Sequence, residues 1–327
     1  MSKAVTMRDI ARAAGVSMSA VSHAFHRPEE LSPDLRERIL RLAGEYGYTP
    51  DPRAHGLRNG TSNLFALVVA NITHHYFATV ASAVQNAVSA QGYRLVILDS
   101  KTKDGERDSL EAVRHERMAG AIVDSYHLGM GDVQRILGAR PAVFVGDADE
   151  RFDGLHVRVP NFAGAYAATT YLAETGRRRI GHITGPLEIA GARRRADGYR
   201  RALADYGLGP PIEASGDFTY ATGRRAMLDL LALPEPPDAV FAATDAMAAG
   251  ALGVLRERGI AVPDRIAVVG FDNVEEATWT VPSLTTIDQP AAAIGTAAAA
   301  LLLSVMREPD FKASVDVACE LVKRDSA

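Results

Sequence analysis

The residues of this 327-residue chain that could do chemistry stand where short apolar runs end. They are carboxylates, guanidinium groups, carboxamides and aromatic rings. After Leu64–Ala70 comes Asn71-Ile72-Thr73-His74-His75-Tyr76-Phe77, then Asp124-Ser125 after the third such run, then Gly146-Asp147 after the fourth. Further along stand Arg193-Arg194-Arg195 ahead of Gly198-Tyr199, then Phe218, Thr244-Asp245, Asp272-Asn273 and Gln289. Rigid planar donors and acceptors pair with hydroxyls, and an aromatic ring covers an apolar face. The set therefore suits a polyhydroxylated or planar polar ligand. Bond-making chemistry has less support. The chain has no G-x-S-x-G elbow, P-loop, H-E-x-x-H or C-x-x-C, and Gly129-Met130-Gly131 does not continue as a dinucleotide fingerprint. His74-His75 suggests a metal, but neighbours on a strand-to-helix loop point apart, and no carboxylate pair lies beside them in sequence. Neither a cofactor nor an enzyme activity is expected.

A second polar set belongs to Thr6–Phe25, TMRDIARAAGVSMSAVSHAF. Thr6 and Asp9 approximate a capping box, and Ile10, Ala13 and Ala14 fall on one helical face. Ala11 supplies the small side chain that two crossing helices need. Gly15 suits a left-handed helix end, Val16 is a buried plug, and Ser17 caps a second helix that turns Val21, Ala24 and Phe25 inward. Met18, Ser19, Ser22 and His23 then face outward near that helix's start, the geometry of a recognition helix in the major groove. An amphipathic helical pair with a purely structural role fits this stretch equally well. After the loop from His26 to Glu30, Ser32-Pro33 caps a third helix with Leu35, Ile39, Leu40 and Ala43 as its stripe.

The elements that must position the first set begin at Asn63. Expected strands are 64–70, 93–99, 121–124, 142–145 and 155–159, followed by 180–184, 239–243, 266–271 and 284–287. Helices are expected at 77–90, 107–117, 163–175, 193–206, 222–231, 246–258 and 291–306. Such alternation means parallel sheets covered on both faces, and ligands then bind beyond the carboxyl ends of the strands. Between head and body, Asp51-Pro52 could begin a very short helix ending near Asn59-Gly60. Alone it is too short to hold in water.

DIARAAGVS, AVSHAF, LSPDLRERIL and GYTPDPRAHGLR, continued by VVGFDN and PSLTTIDQP, resemble the LacI/GalR family of transcriptional regulators over nearly the whole chain. The resemblance implies an all-α helix-turn-helix head followed by an α/β periplasmic-binding-protein-like domain of two doubly wound parallel-sheet subdomains. It divides the chain into a DNA-binding domain at 1–49, a hinge at 50–60 and an effector and dimerisation domain at 61–327. The first subdomain then takes about 61–160 plus 290–318, and the second about 161–289 plus the C-terminal end. DNA contacts are implied for Thr6, Ser17, Met18, Ser19, Ser22, His23 and His26, with Ala54 and Leu57 from the hinge. Leu57 would wedge between base steps of the minor groove. Effector contacts are implied for Arg195, Phe218, Asp272 and Gln289, with Phe77 or Tyr76 as a wall, and the reading of strand ends adds His75, Asp124, Ser125 and Thr244.

The chain also departs from the family pattern. His23 stands where an arginine is usual, and histidine cannot offer guanine the same two-pronged contact. Gly146 fills the family's usual acid position, with Asp147 one residue later. Asp51 replaces a common asparagine, and Gly56 weakens the short hinge helix by about 1 kcal/mol.

Residues 1–60 hold nine Lys/Arg against seven Asp/Glu, net +2, and the rest 27 against 33, net −6. A mildly basic head on an acidic body suits a protein that meets phosphate through one end. Lone Cys319 fits a reducing cytoplasm, and no apolar run reaches about 18 residues. The expectation is a cytoplasmic, nucleoid-associated homodimer, a repressor that binds double-stranded operator DNA and a small effector, a sugar or sugar derivative, with no membrane contact. A nucleoside or nucleobase effector and a plain solute-binding receptor are the competing readings.

Overall fold

The computed structural model describes residues 5–26, 28–48, 62–124, 127–147 and 154–327, without the side chain of His26. The chain divides into two units, Met1–Asn63 and Leu64–Ala327. Of the residues singled out above, Ala54, Leu57, Ser125 and the His26 side chain lie outside the described residues, as does the hinge.

In the first unit, Thr6 opens helix α1 (Met7–Ala14), its backbone N–H and its hydroxyl both donating to Asp9. Gly15 ends α1 at φ 63°, a left-handed conformation that glycine adopts without steric cost. Ser17 accepts a hydrogen bond from the Ala20 N–H at the start of α2 (Met18–His26), and Pro33 begins α3 (Pro33–Glu45). The core joins Ile10, Ala11, Ala14, Val21, Ala24 and Ile39, with Val16 and Phe25 packed on it. Two sequence expectations are corrected here. Ala13 is exposed, because the helix buries Ala11 in its place, and Leu42 packs on the core where Leu40 was expected.

In the second unit, the apolar runs become two six-stranded sheets. The first has the order β11-β5-β4-β3-β1-β2, with every pairing parallel. Its strands are β1 (Leu64–Val69), β2 (Arg94–Asp99), β3 (Gly120–Val123), β4 (Ala142–Gly146), β5 (Leu155–Arg158) and β11 (Ser314–Asp316). The second has the order β12-β10-β9-β8-β6-β7, built from β6 (Ile180–Thr184), β7 (Ile212–Ser215), β8 (Ala239–Ala242), β9 (Ala267–Asp272), β10 (Thr285–Asp288) and β12 (Glu320–Val322). It is not wholly parallel as expected, because β12 runs antiparallel to β10.

Helices α4 (His75–Ser89), α5 (Lys103–His115) and α6 (Met130–Leu137) cover the first sheet. Helices α7 (Asn161–Glu174), α8 (Ala190–Asp205), α9 (Tyr220–Leu231) and α10 (Asp245–Glu257) cover the second. The alanine-rich α11 (Ala291–Arg307) returns to the first sheet and buries Ile294, Ala298 and Leu302 against Val80 and Val84 of α4. The last strands therefore divide between the sheets, which places the strand carboxyl ends of both around one cleft. Among the described residues, no helix is long and apolar enough to cross a membrane.

Candidate functional site

The cleft encloses a cavity of about 370 Å³. One wall comes from the first sheet: Asn71, His74, Tyr76 and Phe77 after β1, Asp124 after β3, and Asp147 after β4. The other comes from the second sheet: Arg195, Phe218, Thr244, Asp272 and Gln289. Nine of the ten effector residues read from the sequence are described, and eight of them line this cavity.

His75 is the exception. It is the first residue of α4, its side chain is 64% exposed, and it pairs with Glu276 outside the cavity. His74, one residue earlier, faces inward instead. Adjacent residues at a helix start point roughly a third of a turn apart, which turns His75 out of the cleft toward Glu276. The two histidines face different carboxylates, Asp272 and Glu276, which gives the metal suggestion no support.

Arg195 is the centre of the second wall. It lies on the buried face of α8, 8% exposed. Its Nε donates to Asn161 Oδ1 at 2.7 Å, and Nη1 donates to the Ala243 carbonyl. The guanidinium carbon lies 3.8 Å from the Phe271 ring centre, and Nη1 is 3.7 Å from Asp272 Oδ1. Gln289 Nε2 donates to that same oxygen at 2.9 Å. Gly198, three residues after Arg195, has no room for a Cβ, which would come within 2.3 Å of the Phe162 carbonyl oxygen. Bare backbone there is what lets α7 and α8 cross closely.

Backbone strain gathers at the same place. Phe218 and Asp272 have φ of 71° and 121°, and Asn273 follows at 57°. Such conformations cost roughly 1–3 kcal/mol each and persist only where surrounding structure holds them. Buried Asp245 holds the turn after β9, accepting from the Val274 N–H at 2.9 Å and from the Thr286 hydroxyl. Thr244 lines the cleft, but its hydroxyl is committed to capping α10, accepting from the Met247 N–H at 3.3 Å.

Electrostatically the cavity is acidic. Asp124, Asp147, Glu188, Asp217 and Asp272 line it, against Lys101 and Arg195. Burial lifts the Asp124 pKa to about 7, against the pull of Arg195 and with help from Glu106 and Asp147. Burial also raises Asp147, although the Asn161 amide donates to it at 2.6 Å and opposes the shift. Burial raises Asp272 too, opposed by His74, Arg195 and Gln289.

Sequence reading named His74 but chose its neighbour His75 as the contact, and it missed Asn161. Asn161 is 3% exposed and joins the walls, linking Asp147 to Arg195. Its one visible signal was position, three residues past the end of β5 at the first residue of α7.

In the first unit, Met18 is 47% exposed and Ser17 and Ser19 are exposed, while Ser22 and His23 are half-buried. The Ser17 and Ser19 hydroxyls share a 2.7 Å hydrogen bond, and His23 Nδ1 is 3.0 Å from Glu30 Oε2. Thr6 is exposed, with its hydroxyl committed to Asp9.

Comparison with known proteins adds to this geometry. A model described as bacterial regulatory proteins, lacI family, matches residues 6–51, and a periplasmic binding protein-like domain matches residues 169–327. The chain is 32% identical to the HTH-type transcriptional repressor CytR of Escherichia coli (strain K12), over 99% of this chain and 96% of that protein. It is 31% identical to the ribose operon repressor of the same organism, over 94% of each. Among solved structures it matches the lac repressor dimer bound to operator and the anti-inducer ONPF, with a TM-score of 0.90 at 26% identity over 99% of both chains.

Proposed function

This chain belongs to the lacI family of bacterial regulatory proteins and is a DNA-binding transcriptional regulator, and from that premise we propose that a small neutral hydroxylated effector, held between its two sheets, controls it. The protein acts as a cytoplasmic repressor on nucleoid DNA. Two copies read a pseudo-palindromic operator through Met18, Ser19, Ser22 and His23 of each first unit, and Leu57 wedges at its centre. The observation that carries the effector reading is the buried cluster of Arg195, Asp272 and Gln289, walled by Phe218 and Phe77. Carboxylate, carboxamide and guanidinium groups pair with hydroxyls, and the rings cover an apolar face.

The acidic lining selects against anions. A phosphate would lose its hydration beside Asp124, Asp147 and Asp272 with only Arg195 and Lys101 to compensate. A sugar is the leading class, and a nucleoside is the second, because three aromatic rings, Tyr76, Phe77 and Phe218, line the cleft and offer apolar surface to a base.

Effector binding shifts a population. It changes operator affinity only as far as its own affinity differs between the two states. A thermal-shift panel of neutral sugars, nucleosides and sugar phosphates tests the reading. A ligand at 100 times its dissociation constant adds roughly 2.7 kcal/mol. A shift from a neutral sugar or nucleoside, with none from its phosphate, is expected. Shifts confined to the phosphates would overturn the reading.

A further inference from the structure

His23 lies on α2, four residues after Ser19 and five after Met18, so helical spacing sets it beside them and Ser22. Its side chain is 34% exposed, and Nδ1 is 3.0 Å from Oε2 of Glu30. Glu30 belongs to the short 3-10 helix Pro28–Glu30 that follows α2, and its own side chain is 39% exposed. A carboxylate only accepts, so at this distance Nδ1 is the nitrogen that carries the proton. Among the described residues, Nε2 makes no hydrogen bond. The two ring nitrogens point to different sides of the imidazole. Glu30 therefore holds one edge of the ring and leaves the other to what the helix meets.

We propose that Glu30 is a positioning residue for operator recognition. It keeps the His23 proton on Nδ1, so that Nε2 is the base-reading atom and its lone pair selects an amino group in the major groove, adenine N6 or cytosine N4. This rests on the reading of α2 as the helix that meets base edges. Guanine and thymine present only acceptors in that groove, N7 and O6 or O4, and a lone pair at Nε2 repels them. Without the carboxylate, the ring turns freely and the proton moves to either nitrogen. The same side chain then donates to guanine as readily as it accepts from adenine, and its power to discriminate is lost.

Glu30 also brings negative charge to a face that meets phosphate, which opposes the binding of any sequence. Its two effects are thus separable. One lowers affinity for all duplexes alike, and the other, acting through His23, decides which base is preferred at one position. A merely structural Glu30 would do neither. Its loss would weaken every duplex and leave the preferred base as it was.

Selection of bound duplexes from a random pool by the full chain tests this, at about pH 8 where a free imidazole is neutral. Wild type is compared with Glu30→Gln, His23→Ala and the two changes combined, each checked by its melting curve. The position that His23 reads is the one whose preference disappears in His23→Ala. There, wild type is expected to favour adenine or cytosine over guanine by about threefold to tenfold, the worth of one hydrogen bond. Glu30→Gln, whose amide accepts as well as donates, should flatten that preference. Its affinity for a non-specific duplex, read by fluorescence anisotropy, should hold or rise. Combining the changes should give the same motif as His23→Ala alone, since Glu30 acts through that ring. A wild-type preference for guanine there, an unaltered motif in Glu30→Gln, or no position that depends on His23 would overturn the role of Glu30 and leave the head's DNA reading standing. No motif enriched by wild type would overturn the reading of α2 as a sequence-specific helix, and this inference with it.

Discussion

Asp124 is the acid in the cleft with the clearest pH signature. Its pKa is lifted to about 7 by burial, while the free side chain ionises near 3.8. Between those values the folded chain holds a proton that the unfolded chain has released, so the contribution of Asp124 to stability falls as pH rises through that window. Asp124→Asn removes the titration. Urea unfolding between about pH 4.5 and about pH 7.5 should show wild type losing stability relative to the variant as pH rises, and parallel profiles would contradict the shift. In the first unit, His23 stands beside Glu30 where an arginine is usual in the family. His23→Arg should move the selected operator toward a guanine at the contacted base, worth about 1–3 kcal/mol of discrimination. Sequences selected from a random pool by the two proteins would be identical if His23 touches only backbone. Arg195, Phe218, Asp272 and Gln289 were legible in the sequence because the stretches around them, such as VVGFDN and PSLTTIDQP, match the family pattern. The choice of His74 over His75 was not, because one residue of phase at the start of α4 decides which ring turns inward. Asn161 was hidden for another reason. Its importance lies in bridging Asp147 and Arg195, which are distant in sequence.

At the scale of elements, strands such as L-F-A-L-V-V at β1 announced themselves through unbroken apolar runs, which only a sheet covered on both faces would bury. The three-residue strands β11 and β12 carry no such pattern, since alternate residues are exposed or half-exposed. The chain passes from β11 in the first sheet to β12 in the second within three residues, and β12 pairs antiparallel with β10. Sequence could not show that. Close packing between elements makes its own prediction. Gly185, directly after β6, lies under the Phe218 ring, where an added Cβ would come within 2.1 Å of it. Gly185→Ala should push that ring off the cleft wall and weaken binding of the wild-type effector by about tenfold, the loss of one aromatic contact plus some strain. Calorimetry alongside a melting curve separates this from unfolding. Full affinity in a folded variant would show that Phe218 is not a wall of the site.

For the whole molecule, the division of labour follows charge and cavity. A head of net charge +2 precedes a body of net −6, and the body holds the cleft. DNA affinity should therefore fall with salt, and effector affinity should hardly change. The claim joining the two units is that a ligand in the cleft alters operator affinity, and fluorescence anisotropy on a labelled operator duplex measures this most directly. Operator is titrated with wild type and with Asp272→Ala, with and without saturating effector from the thermal-shift panel. The predicted result is an operator dissociation constant that effector shifts by about fivefold to 150-fold in wild type, the usual span of allosteric coupling. In Asp272→Ala the effector-free operator affinity should match wild type, and the shift should vanish at the same effector concentration. An operator affinity in wild type that saturating effector leaves unchanged would contradict the account.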